Sequence, residues 1–192
     1  MPRRRATEPI LSAACDCLIA GDGDFEMSDV ARRAGVSEGL AYHYFKSKAG
    51  LLAAVVERFF RDYYAVANAR YPGDTPWPER ERARLEAIIG FLYTDPLAPV
   101  IYGQMSRSVA VAAAEQEGHA ELVQLATLNV EDGQKRGFLP DAVDPQIAGA
   151  AIIGAVREVF SQTMRQTPHP DPAWLSNRMW DFIAAAVGLN SS

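Results

Sequence analysis

Apolar residues recur along this chain at helical spacing and nowhere alternate as a strand would. Tracts such as AVVERFF (54–60), ARLEAIIGFLY (83–93), VAVAAAEQ (109–116), AELVQLATL (120–128) and AGAAIIGAV (148–156) are built largely from helix formers. No alternating run bounded by Asn-Gly or Asp-Gly lies between them. An all-α chain follows. At 192 residues, 48% of them hydrophobic, it is long and apolar enough to bury a core unaided.

Breakers and capping residues divide the chain into nine expected helices. The first runs from Thr7 to about Ala20 on Ile10, Leu11, Ala14, Cys15 and Leu18, and GDGD at 21–24 stops it. The second repeats Met27, Val30, Ala31 and Ala34 and ends at Gly35. Ser37 caps a third, to about Tyr44, and Ser47 caps a longer fourth through LLAAVVERFFRDYYAVANAR. YPGDTPWP at 71–78 is the densest breaker cluster. Further helices are expected at 79–94, 97–114 and 118–136, the last closed by Gly137. Asp144 as N-cap with Pro145 at the first helical position starts the eighth, which runs to about Gln166. TPHPDP separates it from the ninth, Ala173 to Val187. The expected organisation is a domain over 1–52 that includes the start of the long helix, and a second over 53–192.

The net charge of −5 argues at first against nucleic acid, but a whole-chain charge averages over regions with different tasks. Residues 1–60 carry eight basic and eight acidic residues, so the excess acid lies entirely in 61–192. The two cysteines, Cys15 and Cys17, stand two apart on a helix, project to nearly opposite sides, and read as packing residues in a reducing compartment. No apolar run reaches the roughly 18 to 20 residues of a membrane span, and the basic start leads into a segment broken by Cys15, Asp16 and Cys17. A cytoplasmic protein without a membrane partner is expected.

Residues 35–48, GVSEGLAYHYFKSK, concentrate aromatic and basic side chains beside a glycine turn. Two short helices joined by such a turn form a helix-turn-helix, whose second helix fits a DNA major groove about 12 Å wide. On it Val36, Ala41 and Phe45 have the spacing to face inward, while Gly39, Tyr42, His43 and Lys46 share the outer face. A soluble protein has little reason to display that set unless a polar, anionic partner meets it. Lys48 and the backbone N–H groups after Ser47 can reach phosphate oxygens. Taken singly, Tyr42 and Tyr44 also fit half-core positions and the lysines a solvated face.

The combination is more specific. ILSAA at 10–14 followed by MSDVARRAGVSEGLAYHYFKSKAGLL at 27–52 resembles the N-terminal domain of the TetR family of bacterial transcriptional regulators, with its helix-turn-helix, Y-x-Y-F-x-S-K and an apolar pair. About fifty residues carry the resemblance; the rest agrees in helix count and length. It implies that residues such as Glu38, Gly39, Leu40, Tyr42, His43 and Tyr44 approach base edges or phosphates, and that one like Lys48 binds the backbone. Three positions depart from the pattern: Glu26 where Ser or Thr is frequent at the N-cap of the second helix, Leu40 where Ser or Thr is common, and Ala41 in place of a larger apolar residue. Arg3, Arg4 and Arg5 are either a solubilising tail or an arm that follows phosphates or enters the minor groove.

For the remaining two thirds the resemblance implies a homodimer enclosing a small-molecule pocket. Ile147, Ala150, Ala151 and Gly154 form a small-residue stripe, and Ile183, Ala184 and Val187 line one face of the last helix. Two helices from each subunit would close a four-helix bundle, although the same stripe can pack inside one subunit. Aromatic and sulfur-bearing residues, among them Phe60, Tyr64, Phe91, Tyr102, Met105 and Phe160, supply candidate pocket walls, with Tyr102, Gln104 and Asn129 as polar contacts to a largely apolar or aromatic ligand. The long fourth helix would link such a ligand to the DNA-binding helices.

Enzyme chemistry finds little support. His43, His119 and His169 lie far apart, and no H-E-x-x-H, Gly-rich phosphate loop or nucleophile elbow is present. No cofactor or metal is expected. The expected function is a ligand-responsive regulator, most simply a repressor, that binds a palindromic double-stranded operator as a homodimer and is released by a small effector. The alternative is a helical small-molecule-binding or scaffold protein whose helix-turn-helix is structural and does not bind DNA.

Overall fold

The computed structural model describes residues 2–105 and 109–189, apart from the side chains of residues 2–6, 115 and 117. Arg3, Arg4 and Arg5, named above as a tail or an arm, therefore have side chains outside the described set. The order is α1 (Pro2–Ala20), α2 (Met27–Ala34), α3 (Glu38–Phe45), α4 (Lys48–Ala67), α5 (Trp77–Thr94), a π-helical turn (Val100–Gln104), α6 (Val109–Lys135), α7 (Pro145–Thr163) and α8 (Pro172–Ala186). Every described element is helical, as the sequence predicts. None of these helices is long and apolar enough to cross a membrane.

Two compact units divide the chain, one formed by residues 1–61 with 96–115, the other by 62–95 with 116–192. This differs from the sequence division at 52/53: the segment after α5 returns to the first unit, and no change of composition marks that return. In the first unit Ile10, Ala14, Leu18, Val30, Ala41, Leu51, Val55 and Val56 are fully buried. The turn between α2 and α3 follows from two residues. Gly35 takes φ 68°, the left-handed region that ends a helix at low cost, and the N–H groups of Gly35 and Val36 bond back to Arg32 and Ala31 carbonyls. Ser37 then caps α3, its hydroxyl accepting from the Leu40 N–H at 3.2 Å. Gly50 is required where α4 begins, since a Cβ there would stand 2.2 Å from the Phe45 carbonyl oxygen.

In the second unit Trp77, Val130, Leu139 and Val187 form a buried cluster, flanked by Phe138, Ile152 and Trp180. The α7 start is as expected: Asp144 accepts from the N–H groups of Gln146 and Ile147, both at 2.9 Å, with Pro145 in the first turn. The helix ends at Thr163, earlier than the expected Gln166.

The stretch 97–136 corrects the sequence reading. Two helices were expected, over 97–114 and 118–136; instead a π-helical turn is followed by one continuous α6 of 27 residues. Within α6 the missing side chain of Gly118 makes room for Tyr64, whose ring carbon lies 2.0 Å from where a Cβ would be. Apolar spacing cannot separate an i→i+5 turn from an α-helix. Here the turn docks Val100, Gln104 and Met105 against Gly23, and the Gln104 amide donates to Asp22 Oδ1 at 2.7 Å.

Candidate nucleic-acid interface

The helix-turn-helix presents α3 as a short, outward-facing helix. Ala41 is fully buried and Val36 and Phe45 are half-buried, which sets the inner face. Glu38, Gly39, Leu40, Tyr42, His43 and Lys46 are exposed, with Leu40 at 38% and Tyr42 at 41%, while Tyr44 is half-buried and meets the His43 ring edge-on. Nothing lies within 4 Å of the place a Cβ would take on Gly39. Its small size therefore answers no demand from the described residues around it. The Lys46 ammonium folds back to donate to the His43 carbonyl at 2.8 Å, closing the C-terminal end of α3.

Lys48, at the start of α4, is held differently. Its Nζ stands 2.8 Å from Asp24 Oδ1, 3.4 Å from Glu26 Oε1 and 5.7 Å from the centre of the Phe25 ring. The hydrogen bond to Asp24 raises the Lys48 pKa, and the same bond lowers that of Asp24. Glu26 occupies the N-cap position of α2 yet makes no side-chain capping bond. On the outer face of α2, Arg32 pairs with Asp29, and Arg33 with Asp16 at 2.9 Å.

The second unit holds a cavity of about 90 Å³. Its walls are mostly apolar, including Tyr63, Trp77, Leu85, Ile88, Leu122, Ile152, Val156 and Trp180, with Glu81, Arg84 and Asn129 at one side. Those polar groups already satisfy one another. Glu81 accepts from Arg80 at 2.7 Å, Arg84 at 3.2 Å and Asn129 at 3.1 Å, while the Arg84 guanidinium also reaches the carbonyls of Ala67 and Ala69. Of the eight pocket residues proposed from sequence, Asn129 lines this cavity. Phe60, Tyr102 and Met105 are buried in the first unit, where Tyr102 meets the Phe59 and Phe60 rings edge-on. Phe160 is fully buried, Phe91 packs against Tyr63, and Tyr64 fills the notch at Gly118. Gln104 is taken by Asp22.

On α7 the stripe Ile147, Ala150, Ala151 and Gly154 is exposed, Ile147 at 72%. The α8 residues expected at the dimer face are buried or half-buried within this chain. Val187 is fully buried in the Trp77 cluster, Ile183 lines the cavity, and Ala184 is half-buried. The outward side instead carries Trp174, Arg178, Phe182 and Ala185, with Trp174 at 54% and Phe182 at 56%. A groove of about 490 Å³ between α7 and α8 joins Val159, Gln162, Trp174, Arg178 and Phe182.

Comparison with known proteins bears on the first unit most directly. Residues 10–55 match the sequence model of bacterial regulatory proteins, tetR family. That match covers the helix-turn-helix and the start of α4. The HTH-type transcriptional regulator BetI of Burkholderia mallei is 36% identical over 69 residues, 36% of this chain and 34% of that protein. BetI of Burkholderia thailandensis is 38% identical over 79 residues, 40% and 37% of the two chains. The chain thus spans about a third of the length of these curated relatives. Solved structures extend the likeness in fold. FadR from Bacillus subtilis, in complex with stearoyl-CoA, has a TM-score of 0.74 at 19% identity, over 93% of this chain and 98% of its own. A TetR-family regulator from Pectobacterium atrosepticum gives 0.74 at 20%, over 100% and 97%. Two features escaped the sequence reading: the carboxylates on Lys48, which lie 22 and 24 positions away, and the aromatic side of α8.

Proposed function

We propose that this chain is a DNA-binding transcriptional regulator that works as a homodimer, acts as a repressor on a palindromic operator, and is released by a small apolar or aromatic effector. The observation that carries the reading is the face of α3. Glu38, Gly39, Leu40, Tyr42, His43 and Lys46 are exposed together on a helix short enough for the major groove, beside Lys48 at the start of α4. In this reading Tyr42 and Lys48 contact phosphates, His43 and Glu38 meet base edges, Leu40 touches a thymine methyl, and Arg4 and Arg5 add phosphate contacts. The exposed α7 stripe with Trp174 and Phe182 supplies a self-complementary face for a twofold dimer. The cavity lining suits an uncharged ligand, because the half-buried ions among its wall residues, Glu81 and Arg84, are already paired. At about 90 Å³ it lies well below the roughly 300 to 1,000 Å³ of common ligand sites, so an effector is small or widens it on binding. Helix α4, 20 residues and about 30 Å long, contributes residues to both units and is the element through which ligand and operator binding would be coupled.

Selection of bound sequences from a randomised duplex library tests this. The reading requires a palindrome with half-site centres about 34–36 Å apart, or a multiple. A second reading, that the helix-turn-helix is structural and the protein serves as a helical ligand-binding or scaffold protein, is favoured by one observation: Lys48 is engaged by two carboxylates. Absence of any enriched sequence at low salt would select it.

A further inference from the structure

We propose that Asp24 and Glu26 form a clamp that competes with DNA phosphate for Lys48, so that these two acids set how tightly the protein binds its operator. The inference rests on the role of Lys48 given above and adds residues to it.

The clamp is built into the fold. Asp24 closes a tight turn, its N–H bonding to the Gly21 carbonyl at 3.2 Å, where a side chain on Gly21 would collide with the Asp24 oxygen at 2.2 Å. The turn is fixed on one side by buried Phe25 and Met27 and on the other by the π-helical turn, through Gly23 against Val100 and Met105 and through the Gln104–Asp22 hydrogen bond. Asp24 is thereby carried to Lys48 by an anchored backbone, and less entropy is lost in forming the pair than between two free side chains. Glu26 supplies an independent observation. An N-cap residue ordinarily accepts an N–H of its own helix. Glu26 makes no such bond, and its carboxylate is within 3.4 Å of Lys48 instead.

The consequence for binding is one of exchange. A phosphate oxygen that takes Lys48 competes with Asp24 and Glu26 for the charge of one ammonium, and full exchange leaves two carboxylates beside the DNA backbone without their cation. Each exposed pair is modest, and two of them acting in each subunit place the effect at about three- to tenfold in affinity for a dimer.

The test is a double-mutant cycle on the full-length protein: wild type, Asp24→Asn with Glu26→Gln, Lys48→Met, and all three changes together. Each is titrated by fluorescence anisotropy against a mixed-sequence duplex at low salt. The clamp predicts that the amide pair binds about three- to tenfold tighter than wild type, and that the same two changes alter affinity less than about twofold once Lys48 is methionine. An equal gain in both backgrounds would mean general charge repulsion and would overturn the proposal, as would no gain at all. If no variant binds the duplex, the DNA-binding reading and the clamp fall together; if wild type binds and the cycle shows no coupling, the clamp alone falls. A DNA-free readout accompanies it. Acylation of the Lys48 amine by a succinimidyl ester should be faster in the amide variant, and an unchanged rate counts against the clamp.

Discussion

Phe182→Ala tests the dimer face and can be reasoned quantitatively. The side chain stands 56% exposed on α8, beside Trp174 and Arg178 and across the groove from Val159 and Gln162. A phenylalanine presents about 200 Å² when fully open, so roughly 110 Å² is available to a partner. A twofold axis uses it twice, about 220 Å² per dimer. At about 25 cal/mol per Å² this is about 5 kcal/mol, of which alanine retains a small part, leaving a loss of about 4 kcal/mol. The dimer dissociation constant should rise about a thousandfold. Sedimentation equilibrium over a dilution series reads this directly, and far-ultraviolet circular dichroism should show an unchanged helical subunit, since the ring does not belong to the subunit core. A change smaller than about threefold would refute the placement of this face in the dimer, as would a wild-type protein that is monomeric at micromolar concentration.

Other perturbations separate close packing from helix propensity and from charge. Gly149→Ala should destabilise the protein by about 1–3 kcal/mol, because the new Cβ would lie 2.8 Å from the Thr127 backbone nitrogen, whereas Gly90→Ala, with open space around it, should stabilise by about 0.5–1 kcal/mol. Urea unfolding of the two variants checks the opposite signs. Asp144→Ala removes the acceptor of two N–H groups at the start of α7 and should cost about 1 kcal/mol by the same measurement. The Asp24–Lys48 pair implies a pH window. Asp24 is lowered by its bond to Lys48, so its contribution is present above the ordinary carboxylate pKa and is lost as pH falls through the depressed folded value. Lys48 is raised, so its contribution is present below the ordinary lysine pKa and is lost as pH rises through the folded value. The difference in Tm between wild type and Lys48→Met should therefore be flat near neutrality and shrink in acid; a gap that stays constant at low pH would contradict the pairing.

What the sequence disclosed is what local chemistry determines. Gly35 and Ser37 mark the turn because a left-handed residue and a capping hydroxyl act within a few positions, and Asp144–Pro145 marks the α7 start for the same reason. The role of Gly118 was not legible because its cause is remote: the ring of Tyr64, far back in the chain, needs the space. The exposed side of α8 was not legible because Trp174, Leu175, Met179, Trp180, Phe182, Ile183 and Val187 give it apolar residues on more than one side, and only the tertiary fit decides that Phe182 is open while Val187 is buried. Most aromatics proposed as pocket walls are instead packed against one another or against glycine, and the cavity is bounded mainly by aliphatic residues and two tryptophans. On the candidate interface the exposed positions of α3 were legible from spacing, whereas the partners of Lys48 were not, since they come from another turn of the chain.

The most direct measurement of the central claim is a salt-dependent titration of the selected duplex with wild type and with the Tyr42→Phe, Lys48→Ala double variant. If Lys48 of each subunit contacts a phosphate, the variant binds more weakly, and the steepness of log affinity against log salt falls by about 1.8 for the two lysines of a dimer. Equal affinity and an equal slope for the two proteins would show that this face does not meet DNA.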